Sequence, residues 1–433
     1  MKHTRRDFLR TSKQTALATA AGVAVANEAR GAKKDSANDP VPLGVIGVGG
    51  RASHLMGFVT GGEAGRIVGV CDIDRSRLRA AADRIGKAQG KPPQTFTDFR
   101  ELLADDAIEA VFVTTPHHWH CPIALAALAA GKHVYVEKPA AHVFREGRLL
   151  AEAAKRHKRV VQHGTQMRSS AVTAAAGEVL DSGVLGEIKM AKAWGVEPRS
   201  PLDPVADGPV PEGLDWDTWL GPAPKRPYNR LRHRSWNNFR DYGNGEIGGD
   251  GIHDIDMAMW GLGVESHPVR ITAHGSRIHV KGAREFPDNM TVTYQYADDK
   301  VLIYENRNFA PYKMHGWDNG NVFYGTKGYM VFSRRGYFQT YLGKEEKEGP
   351  GMRGGDGVPE HIANFIAAVR GEAKVSTGAE VAHLGCGLVH LGEIAHRLER
   401  VLHFDPENER FVGDPQADAM LSKKYREPWG LGG

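Results

Sequence analysis

The 433-residue chain predicts an α/β protein of two parts: an N-terminal Rossmann dinucleotide-binding domain, then a C-terminal α+β domain with a mostly antiparallel open sheet. Three observations carry that expectation. Between residues 41 and 164 short apolar runs alternate with helical patterns, the signature of βαβ units and a parallel sheet covered on both faces. The first apolar run passes directly into a glycine-rich turn. Beyond residue 165 the pattern changes to longer alternating runs, which suit a sheet with one covered face.

In order, strands are expected at Leu43–Gly47, Arg66–Asp72, Ile108–Thr114, His133–Val136 and Val160–His163. Helices are expected at Arg75–Ile85, Ile123–Ala130 and Glu146–His157. A helix at Ala171–Leu180 leads into strands at Glu187–Val196, Val269–Val280, Met290–Tyr296, Val301–Asn308, Val322–Tyr324 and Tyr329–Phe332. Helices His361–Val369 and Val381–Leu398 close the second domain, taken as 165–400, and a tail over 401–433 packs on both domains. Residues 198–227 hold eight of the 23 prolines, which predicts an extended loop of functional use.

With 41% hydrophobic and 25% charged residues the composition excludes a disordered chain, and 52 glycines without a three-residue period exclude collagen. The net charge of +4 resides wholly in residues 1–32, where six basic residues oppose Asp7 and Glu28. A neutral remainder argues against nucleic acid or an anionic membrane as partner. That leader reads Thr4-Arg5-Arg6-Asp7-Phe8-Leu9-Arg10, then an alanine-rich apolar stretch to Ala26. It resembles a twin-arginine (Tat) export signal, with Ala24-Val25-Ala26 as the cleavage candidate and a linker over 33–40. The stretch is shorter than the roughly 20 residues a bilayer requires. The resemblance implies the Tat machinery as a partner and a periplasmic or exported protein. Cys71, Cys121 and Cys386 show no C-x-x-C spacing and read as small buried residues.

Gly47-Val48-Gly49-Gly50-Arg51-Ala52 follows the first strand as G-x-G-x-x-A, a form of the dinucleotide fingerprint. Its glycines allow a tight turn and bring backbone N–H groups to a pyrophosphate. Asp72 ends the second strand 25 residues after Gly47, where an acid accepts hydrogen bonds from a ribose 2′-hydroxyl. It would repel a 2′-phosphate, so NAD is expected as cofactor, with NADP less favoured despite Arg75 and Arg77.

Two further segments end at the same edge of the sheet: Val113-Thr114-Thr115-Pro116-His117-His118-Trp119-His120, and Gly131-Lys132-His133-Val134-Tyr135-Val136-Glu137-Lys138-Pro139. With them the sequence resembles the Gfo/Idh/MocA family of sugar and polyol oxidoreductases, from about Val41 to Trp429. The resemblance implies that Lys138 reaches the reacting hydroxyl, Glu137 contacts the nicotinamide-side ribose, and Thr115, Pro116, His117, His120 and Gln166 help to hold the cofactor. Many members carry Asn at the position of His117. His253, in Gly248-Gly249-Asp250-Gly251-Ile252-His253, resembles the general base, and Asp250 stands three residues before it where many relatives have an Asp four before. Arg168 matches a family arginine near the substrate.

Aromatic residues crowd around the proline-rich stretch, and Trp236 and Tyr242 among them suit the C–H faces and hydroxyls of a sugar. His253 with the His117–His120 cluster lacks a recognised ligand spacing, so no metal is expected. The functional expectation is NAD-dependent hydride transfer on a sugar or sugar derivative with a tightly bound cofactor. Alternatives are an NAD-dependent glycoside hydrolase working by transient oxidation, sugar–sugar transhydrogenation, and a non-catalytic sugar-binding protein. A homo-oligomer is expected, because the open sheet needs a cover for its second face.

Overall fold

The computed structural model describes residues 39–431, so the Tat-like leader and most of the linker lie outside the described residues. The first sheet has six strands: β1 (Val41–Ile46), β2 (Gly65–Cys71), β3 (Gln94–Phe96), β4 (Ala110–Val113), β5 (His133–Val136) and β6 (Val161–His163). Their order is 3-2-1-4-5-6 and every pairing is parallel. β3 escapes sequence reading because it is three residues long with only Phe96 buried.

Both faces of this sheet are covered, which explains its nearly unbroken apolar strands. Leu43, Val45, Ala110, Phe112 and Tyr135 face one helical layer, and Val111, Val113, Val134 and Val136 face the other. The helix Val358–Val369, assigned by sequence to the second domain, joins the first layer. Its Phe365 ring stands edge-on to Phe112 at 5.5 Å and to Tyr135 at 5.8 Å. The boundary drawn at residue 164 is therefore one of chain order and not of packing.

The second sheet contains β7 (Ile188–Gly195), β8 (Arg270–Ser276), β9 (Asn289–Gln295), β10 (Val301–Arg307), β11 (Asn319–Gly325), β12 (Gly328–Ser333), β13 (Tyr337–Leu342), β14 (Lys347–Arg353), β15 (Leu402–Asp405) and β16 (Arg410–Phe411). Only β7 and β10 pair in parallel. The six expected strands are present. β13 and β14 form a further hairpin at one edge, where Lys347–Arg353 (KEGPGMR) has no apolar alternation to betray it. The inner face, with Tyr294, Leu302, Tyr304 and Phe323, packs with the helices Ile252–Leu262 and Ala379–Leu398 in one core. No helix among the described residues is long and apolar enough to cross a membrane.

Two segments join the halves. Residues 198–227 are only partly extended: Trp216–Leu220 is helical, and Trp216, Trp219, Tyr228, Phe239 and Tyr242 form a separate aromatic core. The tail then crosses from the first domain to this insert. Lys423 Nζ (3.0 Å) and the Tyr425 hydroxyl (2.9 Å) engage the buried Glu146 carboxylate, and Arg426 donates to the carbonyls of Asp217 (2.7 Å) and Gly221 (2.8 Å).

Burial holds the imidazoles of His118, His163, His267 and His390 down at about 3 and that of His361 at about 4, against about 6.5 when unfolded. The unfolded chain therefore binds more protons below pH 6.5, so this contribution to stability is complete above that pH and lost as pH falls toward 3. A thermal midpoint that is level between pH 7 and 8 and declines steadily from pH 6.5 to 4 is expected from calorimetry. A midpoint unchanged over the lower range would contradict it.

Candidate functional site

The site lies where the strand order reverses between β1 and β4, so that the following loops part and leave a crevice at their carboxyl ends. Gly47 turns the chain with φ +85°, and a Cβ there would stand 2.9 Å from the Thr115 nitrogen. A Cβ at Gly50 would meet nothing within 4 Å, so the first turn of the helix Gly50–Thr60 is open to a ligand.

Asp72 braces this loop. One carboxylate oxygen accepts from Val48 N (2.8 Å) and the other from Asp74 N (2.9 Å). Burial nevertheless raises its pKa, outweighing those bonds. Asp74 also lines the crevice and caps the helix Arg75–Gln89 through Ser76 N at 2.9 Å. Against a desolvation cost, hydrogen bonds from Ser76 and Arg77 hold it below the usual carboxylate range. Asp74 was not foreseen, although the Asp72-Ile73-Asp74 spacing at the end of β2 was the available signal.

Arg51 and Glu137 bridge the crevice at 2.7 Å. Burial drives the Glu137 pKa up, but the charges of Arg51 and Lys138 prevail and hold it below its ordinary value. The other Glu137 oxygen accepts from Lys138 N at 3.1 Å. His120 ties the same two loops, with its ring nitrogens 2.7 Å from the carbonyls of Pro139 and Thr115.

The cavity measures about 460 Å³. Its floor is the glycine loop, Asp72, Thr115 and Pro116, and its outer wall is the insert, through Thr218, Trp219, His233, Arg234 and Trp236. The wall is fastened by backbone: Arg75 N donates to Gly213 O (3.0 Å) and Asp215 N to Ile73 O (3.1 Å). Trp119 Nε1 donates to the carbonyls of Thr218 and Trp219, each at 3.1 Å. Gly221 allows the closest approach, since a Cβ there would fall 2.1 Å from the Trp119 ring. Of these wall residues only Trp236 was expected at the site, because which crevice a loop covers is not local information.

Lys138 and His117 border the cavity. The Lys138 ammonium donates to the Gly249 carbonyl oxygen, in a π-helical turn at Ile247–Gly251 that leads into the helix bearing His253. π-turns of this kind often mark functional sites. His253 is buried with no hydrogen-bond partner among the described residues, and burial, then the Lys138 and Arg334 charges, push its pKa well down. Asp250 is held by Arg199 at 2.7 Å. Against burial, the charges of Lys138 and Arg334 keep it ionised. Asp254, 3.5 Å from Arg334, is pushed up to about 8 by burial.

Five residues expected at the site lie outside the cavity lining: His253 and Asp250, already described, and three more. Arg168 makes a two-pronged ion pair with Asp256 at 2.8 and 2.9 Å. Tyr242 is fully buried against Trp219, ring centroids 4.8 Å apart. Gln166 opens a 3₁₀ turn after β6, its Oε1 buried without a partner and outside the cavity lining.

The crevice fits a dinucleotide on its own evidence. Beside the open glycine turn, Arg51 Nη2 and Thr115 Oγ1 are buried without hydrogen-bond partners, at positions where a polar ligand would supply them.

Comparison with known proteins agrees with this geometry. Residues 41–165 match a family model described as oxidoreductase family, NAD-binding Rossmann fold, and residues 194–431 one described as oxidoreductase family, C-terminal alpha/beta domain. A "Glycosyl hydrolase family 109 protein 2" of Shewanella sp. (strain ANA-3) is 34% identical over 158 residues, 33% of this chain and 35% of that protein. An "Uncharacterized oxidoreductase ORF334" of Rhizobium meliloti is 31% identical over 188 residues, 42% of this chain and 54% of that one. The chain thus spans between about a third and a half of the length of these relatives. In fold it resembles levoglucosan dehydrogenase in complex with NADH and levoglucosan, with a TM-score of 0.66 and 20% identity over 84% of this chain and 99% of that one. It also resembles WlbA dehydrogenase of Bordetella pertussis in complex with NADH and UDP-GlcNAcA, with a TM-score of 0.63 and 16% identity over the same shares.

Replacing Asp72 by Ala removes the side-chain anchor of the glycine loop at Val48 N and the brace of the following turn at Asp74 N. Hydrogen bonds to a charged acceptor are worth about 1.5–3 kcal/mol each, so NAD affinity of cofactor-free D72A is expected to fall at least ~10-fold in calorimetric titration. Unchanged affinity would show that the loop holds its shape without this clamp.

Proposed function

Since the chain belongs to the Gfo/Idh/MocA oxidoreductase family, we propose that it oxidises a hydroxyl of a sugar or sugar derivative with NAD kept as a resident cofactor. The observation that carries the reading is the wall fastened along the crevice. The insert is bonded over the dinucleotide cleft at Ile73 and Arg75, and the tail locks the insert through Arg426. A cofactor under such a wall exchanges slowly, and so favours chemistry in which it is reduced and reoxidised in place.

When bound, the dinucleotide supplies the hydride acceptor. Glu137 and the Thr115–Pro116 segment orient it, with Asp72 and Asp74 at the adenosine side, where two carboxylates favour a free 2′-hydroxyl over a phosphate. His253, neutral by burial, accepts the hydroxyl proton, and Lys138, anchored on Gly249 O, donates to the same oxygen. Trp236 offers a flat apolar face to the sugar ring.

A second reading, glycoside hydrolysis by transient oxidation, draws support from the 34% identity to the Shewanella glycosyl hydrolase family 109 protein and from the same enclosure. We further propose that residues 1–32 direct Tat export to the periplasm, a route that carries a folded protein with its cofactor. The half-buried Trp317, Tyr324, Tyr329, Tyr337 and Tyr341 on the outer sheet face support pairing of two copies there.

Protein purified after export is expected to release about one equivalent of NAD on acid treatment, read by mass spectrometry. An empty or NADP-filled site would sink the reading. R426A should unlatch the wall and speed exchange of labelled NAD by ~10-fold or more, with the fold intact by circular dichroism. K138A should retain NAD yet lose turnover by ~10²-fold or more; full activity would remove Lys138 from the mechanism.

A further inference from the structure

The insert brings to the crevice a positive charge that no group of the protein answers. Four cationic side chains, Arg51, Arg77, Lys138 and Arg234, and three acidic ones, Asp72, Asp74 and Glu137, line the cavity. Arg51 is paired with Glu137 at 2.7 Å and Arg77 with Asp74 at 3.4 Å. Lys138 donates to the Gly249 carbonyl, and Asp72 accepts from the backbone N–H groups of Val48 and Asp74. Arg234 makes no hydrogen bond and no ion pair among the described residues.

The backbone beneath Arg234 is nevertheless held. Arg234 ends the short helix Arg230–Arg234, whose N-cap Asn229 accepts from Leu231 N (3.0 Å) and Arg232 N (3.1 Å). The same Asn229 donates to the Val205 carbonyl (2.8 Å) and the Asp207 carboxylate (2.9 Å), which ties the helix to the loop before it. The preceding residue, His233, is buried with its ring edge-on to Trp219 at 5.4 Å. A fixed turn thus carries a free, exposed guanidinium on the wall of the crevice.

His233 registers the charge around it. Burial holds its imidazole down at about 4, followed by the charges of Arg77 on the floor and Arg234 on the wall, while Asp74 acts the other way with less effect. Positive charge therefore gathers on both sides of the crevice, and it does so at the glycine turn, since Arg77 Nη1 lies 3.9 Å from where a Cβ would stand on Gly49. Like charges so placed repel unless an anion stands between them. The second glycine of a dinucleotide turn is where the backbone closes on a diphosphate.

We propose that Arg234 is a phosphate arm of the insert, closing on the diphosphate of the dinucleotide from the side opposite the glycine turn, so that the ligand itself helps to fasten the insert over the crevice. The inference rests on the NAD reading above and deepens it. The bonds that hold the wall at Ile73 and Arg75 run from protein to protein; Arg234 adds one that exists only with the cofactor in place and must break before the cofactor leaves. A guanidinium meets a phosphate with two parallel N–H donors, which an ammonium cannot reproduce. The 2′-phosphate of NADP is the other source of the same chemistry, and Asp72 and Asp74 disfavour it on the adenosine side.

The test titrates the full chain, freed of nucleotide, with NAD and with NADP in a calorimeter at about 0.05 and about 0.5 M KCl. R234Q, which keeps the stem and loses the charge, is expected to weaken NAD binding by ~10-fold at the lower salt, and R234K to recover part of that loss. The higher salt should weaken binding to wild type by ~5-fold or more and to R234Q by less than half that factor. Unchanged NAD affinity overturns the proposal, and so does a loss that is the same at both salt concentrations, which marks an effect through the folding of the insert. A loss confined to NADP assigns Arg234 to a 2′-phosphate and overturns it as well. Wild type that binds neither nucleotide refutes the NAD reading itself. Hydrogen exchange supplies a readout free of affinity and turnover. With nucleotide saturating, NAD should slow exchange at Asp215 N–H, which is bonded to Ile73 O, by ~10-fold in wild type and by less than ~3-fold in R234Q. Equal protection in the two proteins contradicts the fastening of the insert by its ligand.

Discussion

The ion pair between Arg51 and Glu137 is the constraint on which the crevice depends. It spans the gap opened by the reversal of strand order and joins the glycine loop to the loop that carries Lys138. A carboxylate buried this deeply is tolerated only if its charge is matched. Arg51 and Lys138 supply the match, and Lys138 N fills one of its remaining acceptor sites. Gly164 is required on the far side, since a Cβ there would stand 3.0 Å from Glu137 Oε1. Next to Glu137 along the chain, Lys138 carries its ammonium to the Gly249 carbonyl.

This dependence explains what the sequence disclosed and what it withheld. Gly47, Asp72, Glu137 and Lys138 were legible because each sits at a fixed offset from the end of an apolar strand, and that offset alone places it at the crevice. His253 was read from its place near the start of a helix after a run of glycines, which the structure has, but it lies outside the cavity lining. The insert was not, although its prolines and tryptophans marked it as unusual. That it covers this crevice follows from backbone bonds between Gly213–Asp215 and Ile73–Arg75, some 140 residues apart, which no local pattern encodes. The same holds for the helix Val358–Val369, whose apolar stripe is plain but whose partner sheet lies in the other half of the chain. Arg168 and Tyr242 show the converse limit. A polar or aromatic residue near a site can be spent on structure, as Arg168 is on Asp256 and Tyr242 on the insert's own core.

The π-turn at Ile247–Gly251 connects these two scales. Gly249 has room for no side chain, because a Cβ would fall 2.6 Å from Asn237 Nδ2 in the insert. The insert therefore excludes a side chain just where Lys138 meets the turn. What remains is a carbonyl, which accepts a hydrogen bond but neither takes nor gives a proton. Lys138 is anchored without being coupled to a titrating partner at that contact, and the nearby Asp250 is occupied by Arg199.

The imidazoles of His253 and His117 are held neutral, and that neutrality has a physical source that extends well beyond the crevice. Desolvation is the largest influence on His253 and His117, and equally on His118, His163, His267 and His390. A protein interior able to hold bases unprotonated at neutral pH does so by making their charged forms costly. The cost is common to catalytic and structural histidines, so acid resistance and a ready supply of neutral bases oppose each other in this fold. The crevice resolves the conflict locally. It surrounds its histidines with the fixed positive charge of Lys138, which disfavours protonation further, and leaves the compensating carboxylates Glu137 and Asp250 engaged by Arg51 and Arg199.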